Sequence, residues 1–211
     1  MTQLPLPLAW PASPTDDDFL ISVSNAAAAQ HLRRWGAWPV MATLLVGPRK
    51  SGRSTLARLF AEQSGGTIID DAERVAETAI FHAWNIAQAD RRPLVIVTQA
   101  PPPDWRVGLA DLRSRLAATP IARIDPPDDA LMAALLERQF LRRHIDARSD
   151  VIAWLVARIE RSHIAIERAV DALDAATLAT RKRLSIMLAR TAMTSAGLIP
   201  SHGPESGETH R

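Results

Sequence analysis

The sequence predicts an α/β fold: a parallel sheet covered by helices on both faces, with a smaller all-helical unit after it. Three observations predict this. Short, nearly continuous apolar runs recur at 41–46, 67–71, 93–99 and 120–125, the pattern of strands buried on both faces. Segments of helical period lie between them, as the crossovers of a parallel sheet require. From Ala130 to about Thr194 the strand-like runs stop and helical periods alone continue.

Each element has a local reason. Residues 1–18 join a proline-rich apolar leader, QLPLPL at 3–8, to PASPTDDD, which reads as an acidic flexible linker. Residues 24–36 read as a helix with Ser24 as N-cap, alanines to propagate it and Gly36 to stop it. MATLLV (41–46) is a buried strand that runs straight into GPRKSGRST (47–55), and a helix over 54–66 ends at Gly65-Gly66. TIIDD (67–71) is a second strand closed by two carboxylates, and 73–91 is a long helix with Ile80, Trp84 and Ala87 or Gln88 in step. PLVIVTQ (93–99) is a third strand, followed by the rigid turn APPPDW, a short helix at 110–119 and a fourth strand at 120–125. Beyond PPDD (126–129), helices are expected at 129–144, 149–161, 163–180 and 184–193. Asp128 or Asp129, Ser149 and Ser162 suit their starts. The tail from 194 has turn formers and no period, and is expected to be disordered.

Composition excludes several classes. A chain of 211 residues makes one domain, or one and a half. The absence of cysteine excludes disulfides, thiolate metal sites and a cysteine nucleophile, and suits a reducing, cytoplasmic setting. No run approaches the roughly 18 apolar residues of a membrane span. The start, MTQLPLPLAWP, has no basic residue and is broken by prolines, so it does not read as a signal peptide. The net charge is +2, and the many arginines read as solvated helix faces before they read as a nucleic-acid surface.

The chemistry concentrates in GPRKSGRST. Gly47, Gly52 and Ser54 fall on the marks of the phosphate-binding pattern G-x-x-x-x-G-K-[ST], between a buried strand and a helix N-terminus. The backbone N–H groups of such a loop surround phosphate oxygens, and the helix dipole adds to the attraction. Gly47, Pro48, Lys50, Ser51, Gly52, Arg53, Ser54 and Thr55 are the candidate phosphate-binding set. Arg53 stands where lysine is expected, and a planar guanidinium does not replace a compact ammonium at a terminal phosphate. Lys50 stands where glycine often allows close backbone approach. Hydrolysis is therefore expected to be slow or absent. Asp70, at the end of an apolar strand, is where a magnesium-holding carboxylate would sit.

Taken together, these stretches resemble the Hda family, replication regulators related to the initiator DnaA within the AAA+ superfamily, over about residues 3–193. QLPLPL looks like the family's sliding-clamp-binding motif, and GPRKSGRS is similar to its Walker A loop. TIIDD resembles Walker B, with Asp70 as the metal-facing acid. AIFHAWN (79–85) and LVIVTQAPPPDW (94–105) resemble the helix and strand leading to sensor 1, and DLRSRL (111–116) the stretch with the arginine finger, which falls on Arg115. DFLISVSNAAA (18–28) is similar to the segment bordering the nucleotide base, and 158–185 to the end of the lid.

The resemblance implies an AAA+ P-loop core with a reduced sheet of about four strands, plus a C-terminal helical lid. It implies a leader at 1–17, a core at 18–127, a lid at 128–193 and a disordered tail at 194–211. Leu59 to Thr67 leaves no room for the strand and helix that normally lie there. The expected sheet order is then fourth strand, first, third, second. The implied function is an adaptor that limits replication initiation. Gln3, Leu4, Leu6, Pro7 and Leu8 would dock on the DNA sliding clamp, with Leu6 and Leu8 filling its pocket and Gln3 bonding at its edge. Arg115 would act in trans in the site of ATP-bound DnaA. ADP or ATP would be structural, with magnesium at Asp70; a nucleotide-free chain is equally open. Sensor 1 presents Gln99, and the sensor 2 position falls on Ile164, with Arg168 one turn further on. The implied setting is the bacterial cytoplasm near the replisome, with DNA contact indirect or weak and self-association through the core left open. Two other readings remain: an autonomous P-loop ATPase, such as a helicase loader, and an initiator-like DNA-binding protein. Against the second, no helix-turn-helix pattern follows the lid.

Overall fold

The computed structural model describes residues 19–200; the leader motif at 3–8 and residues 201–211 lie outside them. The described chain divides into two compact units, one ending at Leu131 and one beginning at Met132.

The first unit is built on a parallel four-stranded sheet. β1 (Ala42–Val46), β2 (Thr67–Ile69), β3 (Leu94–Thr98) and β4 (Ile121–Arg123) are arranged in the order β2-β3-β1-β4. This is the order expected from the missing edge strand, since α2 (Arg53–Ser64) is joined to β2 by Gly65 and Gly66 alone. β1 and β3 are central and buried at every position. Leu44 stands opposite Ile96 on one side and Ile121 on the other.

Strand periodicity sorts the side chains into two layers. Leu45, Val95 and Val97 face α1 (Val23–Arg33) and α2, where they meet Ala28, Leu32, Leu56 and Phe60. Leu44, Val46, Leu94 and Ile96 face α3 (Glu77–Asp90) and α4 (Ala110–Ala117), where they meet Ile80, Ala87, Leu112 and Leu116. The loop helix α2 and the helix that carries Arg115 therefore lie on opposite faces of one sheet.

Several boundaries differ from the sequence expectation, each for a local reason. Ser22, not Ser24, caps α1, in a reciprocal box with Asn25. The helix ends at Arg33, and the chain then tightens into a 3-10 turn at Trp35–Ala37. The third helix starts at Glu77 instead of 73, because Asp71 adopts a left-handed conformation and Ala72–Arg74 form a separate 3-10 turn.

The second unit is all helical. α5 (Asp129–Arg142) enters it, and Asp128 accepts the N–H of Leu131 at the helix start. α6 (Ser149–Val156), α7 (His163–Thr180) and α8 (Ile186–Ser195) complete it. Its core includes Met132, Leu136, Phe140, Leu155, Val170, Leu173 and Met193. Ser162 caps α7 through the Ala165 N–H, whereas Ser149 is the first residue of α6 and not its cap. α8 runs two residues past 193, and Leu198 and Ile199 pack against the core. The expected disorder does not hold over 194–200, where the apolar pair Leu198-Ile199 has a surface to bury.

Candidate nucleotide loop and candidate arginine finger

β1 delivers the chain to Gly47 and α2 takes it up again at Arg53. Between them the backbone is left-handed at Lys50 (φ 61°) and Gly52 (φ 85°). Gly47 is required by crowding: a Cβ there would lie 2.8 Å from the carbonyl oxygen of Ile124. Gly52 carries both constraints, since its φ favours glycine and a Cβ would meet the Phe19 ring at 2.9 Å. Ser51 closes the turn, its N–H donating to the Pro48 carbonyl over 3.3 Å. Its own hydroxyl is buried and has no partner. Such a loop, opening onto a helix N-terminus with an unpartnered buried hydroxyl, suits an anionic group.

The side chains at the far end of the loop are already engaged with one another. Ser54 Oγ donates to Asp70 Oδ1 over 3.1 Å, and the Asp71 N–H donates to the same oxygen over 3.0 Å. Arg53 is 7% exposed. Burial lowers its proton affinity, while the nearby charges of Glu73, Asp71 and Asp70 oppose that. Thr98 Oγ1 donates to Glu73 Oε1 over 2.6 Å, and the Gln99 N–H donates to the same carboxylate. Burial would raise the Glu73 pKa; these hydrogen bonds and the Arg53 charge outweigh it and hold the group below its ordinary value. The exposed Gln99 thus contributes its backbone here. Among the described residues, no group of three or more carboxylates or histidines converges on a metal-sized space.

The left-handed backbone at Lys50 and Gly52, the close approach at Gly47 and the unpartnered Ser51 hydroxyl are the features by which the 47–55 loop could hold a phosphate. The residues a magnesium ion would need, Ser54 and Asp70, are adjacent. The guanidinium that would meet a terminal phosphate is set among three acids of its own chain. Arg168, the candidate sensor residue, lies exposed on α7 in the second unit, and Ile164 is half-buried on the same helix.

Arg115 sits in the last turn of α4. Its Nε donates to Asn85 Oδ1 on α3 over 3.1 Å. The guanidinium carbon lies 4.5 Å from the centre of the Phe81 ring and 5.2 Å from that of Trp84. Trp84 Nε1 donates to Thr119 Oγ1, which itself donates to the Arg115 carbonyl. The side chain is half-buried and held on the face of α3.

Sequence reasoning missed Glu73, Glu77 and Asn85. Glu77 accepts the N–H groups of Gly108 and Leu109 over 2.8 and 2.6 Å, just where α4 begins without a side-chain cap of its own. These roles depend on partners 25 to 32 positions away, which no local pattern encodes.

No family model matches the sequence. Among solved structures, domain III of the replication initiation protein DnaA from Thermotoga maritima is similar at TM-score 0.69 and 14% identity, over 88% of this chain and 96% of that one. AMPPCP-bound DnaA from Aquifex aeolicus is similar at TM-score 0.57 and 13% identity, over 74% of this chain and 63% of that one. The Thermotoga maritima RuvB Holliday junction branch migration motor is similar at TM-score 0.59 and 16% identity, over 82% and 66%. At such identities the likeness is one of fold. No helix among the described residues is long and apolar enough to cross a membrane. The chain shares its fold with DnaA domain III and the RuvB motor: a four-stranded parallel sheet covered by helices, followed by a helical unit.

Proposed function

We propose that this protein is an adaptor that limits replication initiation by activating the ATPase of a DnaA-type initiator. The observation that carries the reading is the state of Arg115. Its Nε is anchored by Asn85 and its plane is supported by Phe81. It also lies on the sheet face opposite the chain's own loop helix. A cation held there serves a neighbouring molecule's site better than its own, and a finger supplied in trans can accelerate phosphoryl transfer by ~10³-fold or more. The burial of Arg53, with the charges of Asp70, Asp71 and Glu73 acting on it, supports a loop that holds nucleotide, ADP above all, or does without it, and not one built for turnover. QLPLPL (3–8) would tether the chain to the sliding clamp, its prolines limiting the entropy lost on docking.

The test is ATP hydrolysis by the cognate initiator with clamp loaded on DNA, with and without this protein. Acceleration by the wild type, lost in Arg115→Ala and in a variant without residues 1–8, is the expected result. No acceleration, or full acceleration by Arg115→Ala, would sink the trans-finger reading. A second reading, an autonomous ATPase, is favoured by one observation, the adjacency of Ser54 and Asp70. It requires turnover by the isolated chain that Asp70→Asn abolishes.

A further inference from the structure

The helical unit carries a surface that neither the loop nor Arg115 accounts for. From Ala175 to Pro200 the chain has the cations Arg181, Lys182, Arg183 and Arg190 and no carboxylate at all. All four are exposed. Among the described residues none of the four makes a side-chain hydrogen bond or ion pair. The nearest acids back along α7 are Asp174 and Asp171, and Asp171 is already paired with Arg143 at 2.6 Å.

The fold displays these charges on a fixed support. Arg181 closes α7 in a left-handed conformation, its N–H donating to the Thr177 carbonyl over 2.8 Å. Leu184, 4% exposed, plugs the core immediately after the run of three cations. Ser185 then caps α8 through the Leu188 N–H. The run is therefore pinned at both ends, and α8 adds Arg190 further along. The hydroxyls of Thr180 and Thr191 donate to the Ala176 and Met187 carbonyls and that of Ser185 accepts the Leu188 N–H, so the cations alone carry the surface.

We propose that this loop and the exposed face of α8 form a binding surface for duplex DNA, which contacts the phosphate backbone and reads no sequence. Unneutralised cations are the usual means of contact with the phosphate backbone, and the arginine fork matches a phosphate. An anionic membrane suits the surface less well. Only Leu178 and Met187 project as large apolar side chains here, at 72% and 80% exposed. Two separate residues are not the continuous apolar face by which a helix lies in a bilayer interface. The proposal stands on the charges of this unit alone. Where the clamp tether operates, it would add avidity, because a clamp loaded on DNA raises the local phosphate concentration.

The test uses the full chain alone, without clamp or initiator, so that its failure and the failure of the adaptor reading stay separate. A labelled 30-base-pair duplex is titrated between 50 and 200 mM salt. Four phosphate contacts at a slope of about −0.9 each predict a loss of roughly 150-fold across that range. Lys182→Ala/Arg183→Ala/Arg190→Ala should cut the loss to about fourfold. Arg74→Ala/Arg106→Ala/Arg123→Ala removes as much charge from the other unit and should leave the slope unchanged. Circular dichroism checks that both variants are folded. Equal losses in the two variants would assign binding to net charge and overturn the proposal. So would an absence of DNA binding at 50 mM salt, or binding to phosphatidylserine vesicles without binding to DNA.

Discussion

Ser54 Oγ donates to Asp70 Oδ1 over 3.1 Å, tying the first turn of α2 to the end of the edge strand β2. β2 is only three residues long and is held by its pairing with β3, Ile69 standing opposite Ile96, so this bond adds one tie just beyond its end. Asp70 is exposed and Ser54 half-exposed, so water can replace either partner. Ser54→Ala should therefore cost only about 0.5–1 kcal/mol, a fall in Tm of a few degrees in thermal unfolding. Asp70→Asn keeps an acceptor oxygen and should cost less. A Ser54→Ala loss above about 3 kcal/mol would mean that the loop depends on this bond far more than its exposure implies.

Two glycines of similar appearance in the sequence should behave oppositely. A Cβ at Gly66 would lie 2.6 Å from the carbonyl oxygen of Pro93, the same oxygen that accepts the Thr67 N–H. Gly66→Ala must push β2 away from β3, at a cost of about 2–3 kcal/mol. A Cβ at Gly36 would meet nothing within 4 Å. Gly36→Ala should be neutral, or stabilising by up to about 1 kcal/mol through the unfolded chain. Denaturant midpoints for the two variants settle it; equal effects would contradict the packing described at Gly66.

How much of this was legible follows from where each piece of information resides. β1 and β3 were readable because a strand buried on both faces must be apolar throughout, and a five-residue run of that kind has little else to become. The sheet order was readable through the resemblance, which supplies the topology, and the short connection before β2 then removes its edge strand. The α1 cap was misplaced because Ser22 and Ser24 are both good caps; their hydroxyls lie 2.7 Å apart, and the reciprocal bond from Asn25 decides for Ser22. The glycine loop was readable from its spacing. Its electrostatic closure was not, because Glu73 becomes part of it only when β3 brings Thr98 and Gln99 alongside.

That carboxylate should make stability depend on acid pH. Burial would raise the Glu73 pKa, but the Thr98 hydroxyl, backbone N–H groups and Arg53 lower it below the ordinary 4.5. A folded-state value below the unfolded one means that the unfolded chain binds the proton more readily. The contribution is then fully present above pH 4.5 and is lost as pH falls through the depressed folded value. Glu77, held down by the Gly108 and Leu109 N–H groups, acts in the same direction. Tm of the wild type should fall more steeply below about pH 4.5 than that of Glu73→Gln, which has lost one such group. Parallel curves from pH 6 to pH 3 would show that Glu73 is not preferentially ionised in the folded protein.

Arg53 makes the complementary prediction, because it is the nearly buried cation among those acids. Arg53→Ala would leave Asp70, Asp71 and Glu73 repelling one another. The carboxylate side of this cluster is exposed to water, which screens the repulsion, so the loss at pH 7 should be about 1–2 kcal/mol and well below that of a fully buried pair. Arg53→Lys keeps the charge and should lose less. The deficit of Arg53→Ala should shrink as pH falls through the depressed folded value of Glu73, where protonation of that carboxylate removes its part of the repulsion. Urea unfolding at pH 7 and near pH 3.5 measures both values. A deficit that stays constant between them would assign the role of Arg53 to packing of its stem against α2's surroundings. On the proposed adaptor function, clamp binding should be the same in Arg53→Ala as in the wild type, because the proposed motif at 3–8 is separated in sequence from the loop. A pull-down in which that variant loses the clamp would show that the leader cannot work apart from the loop.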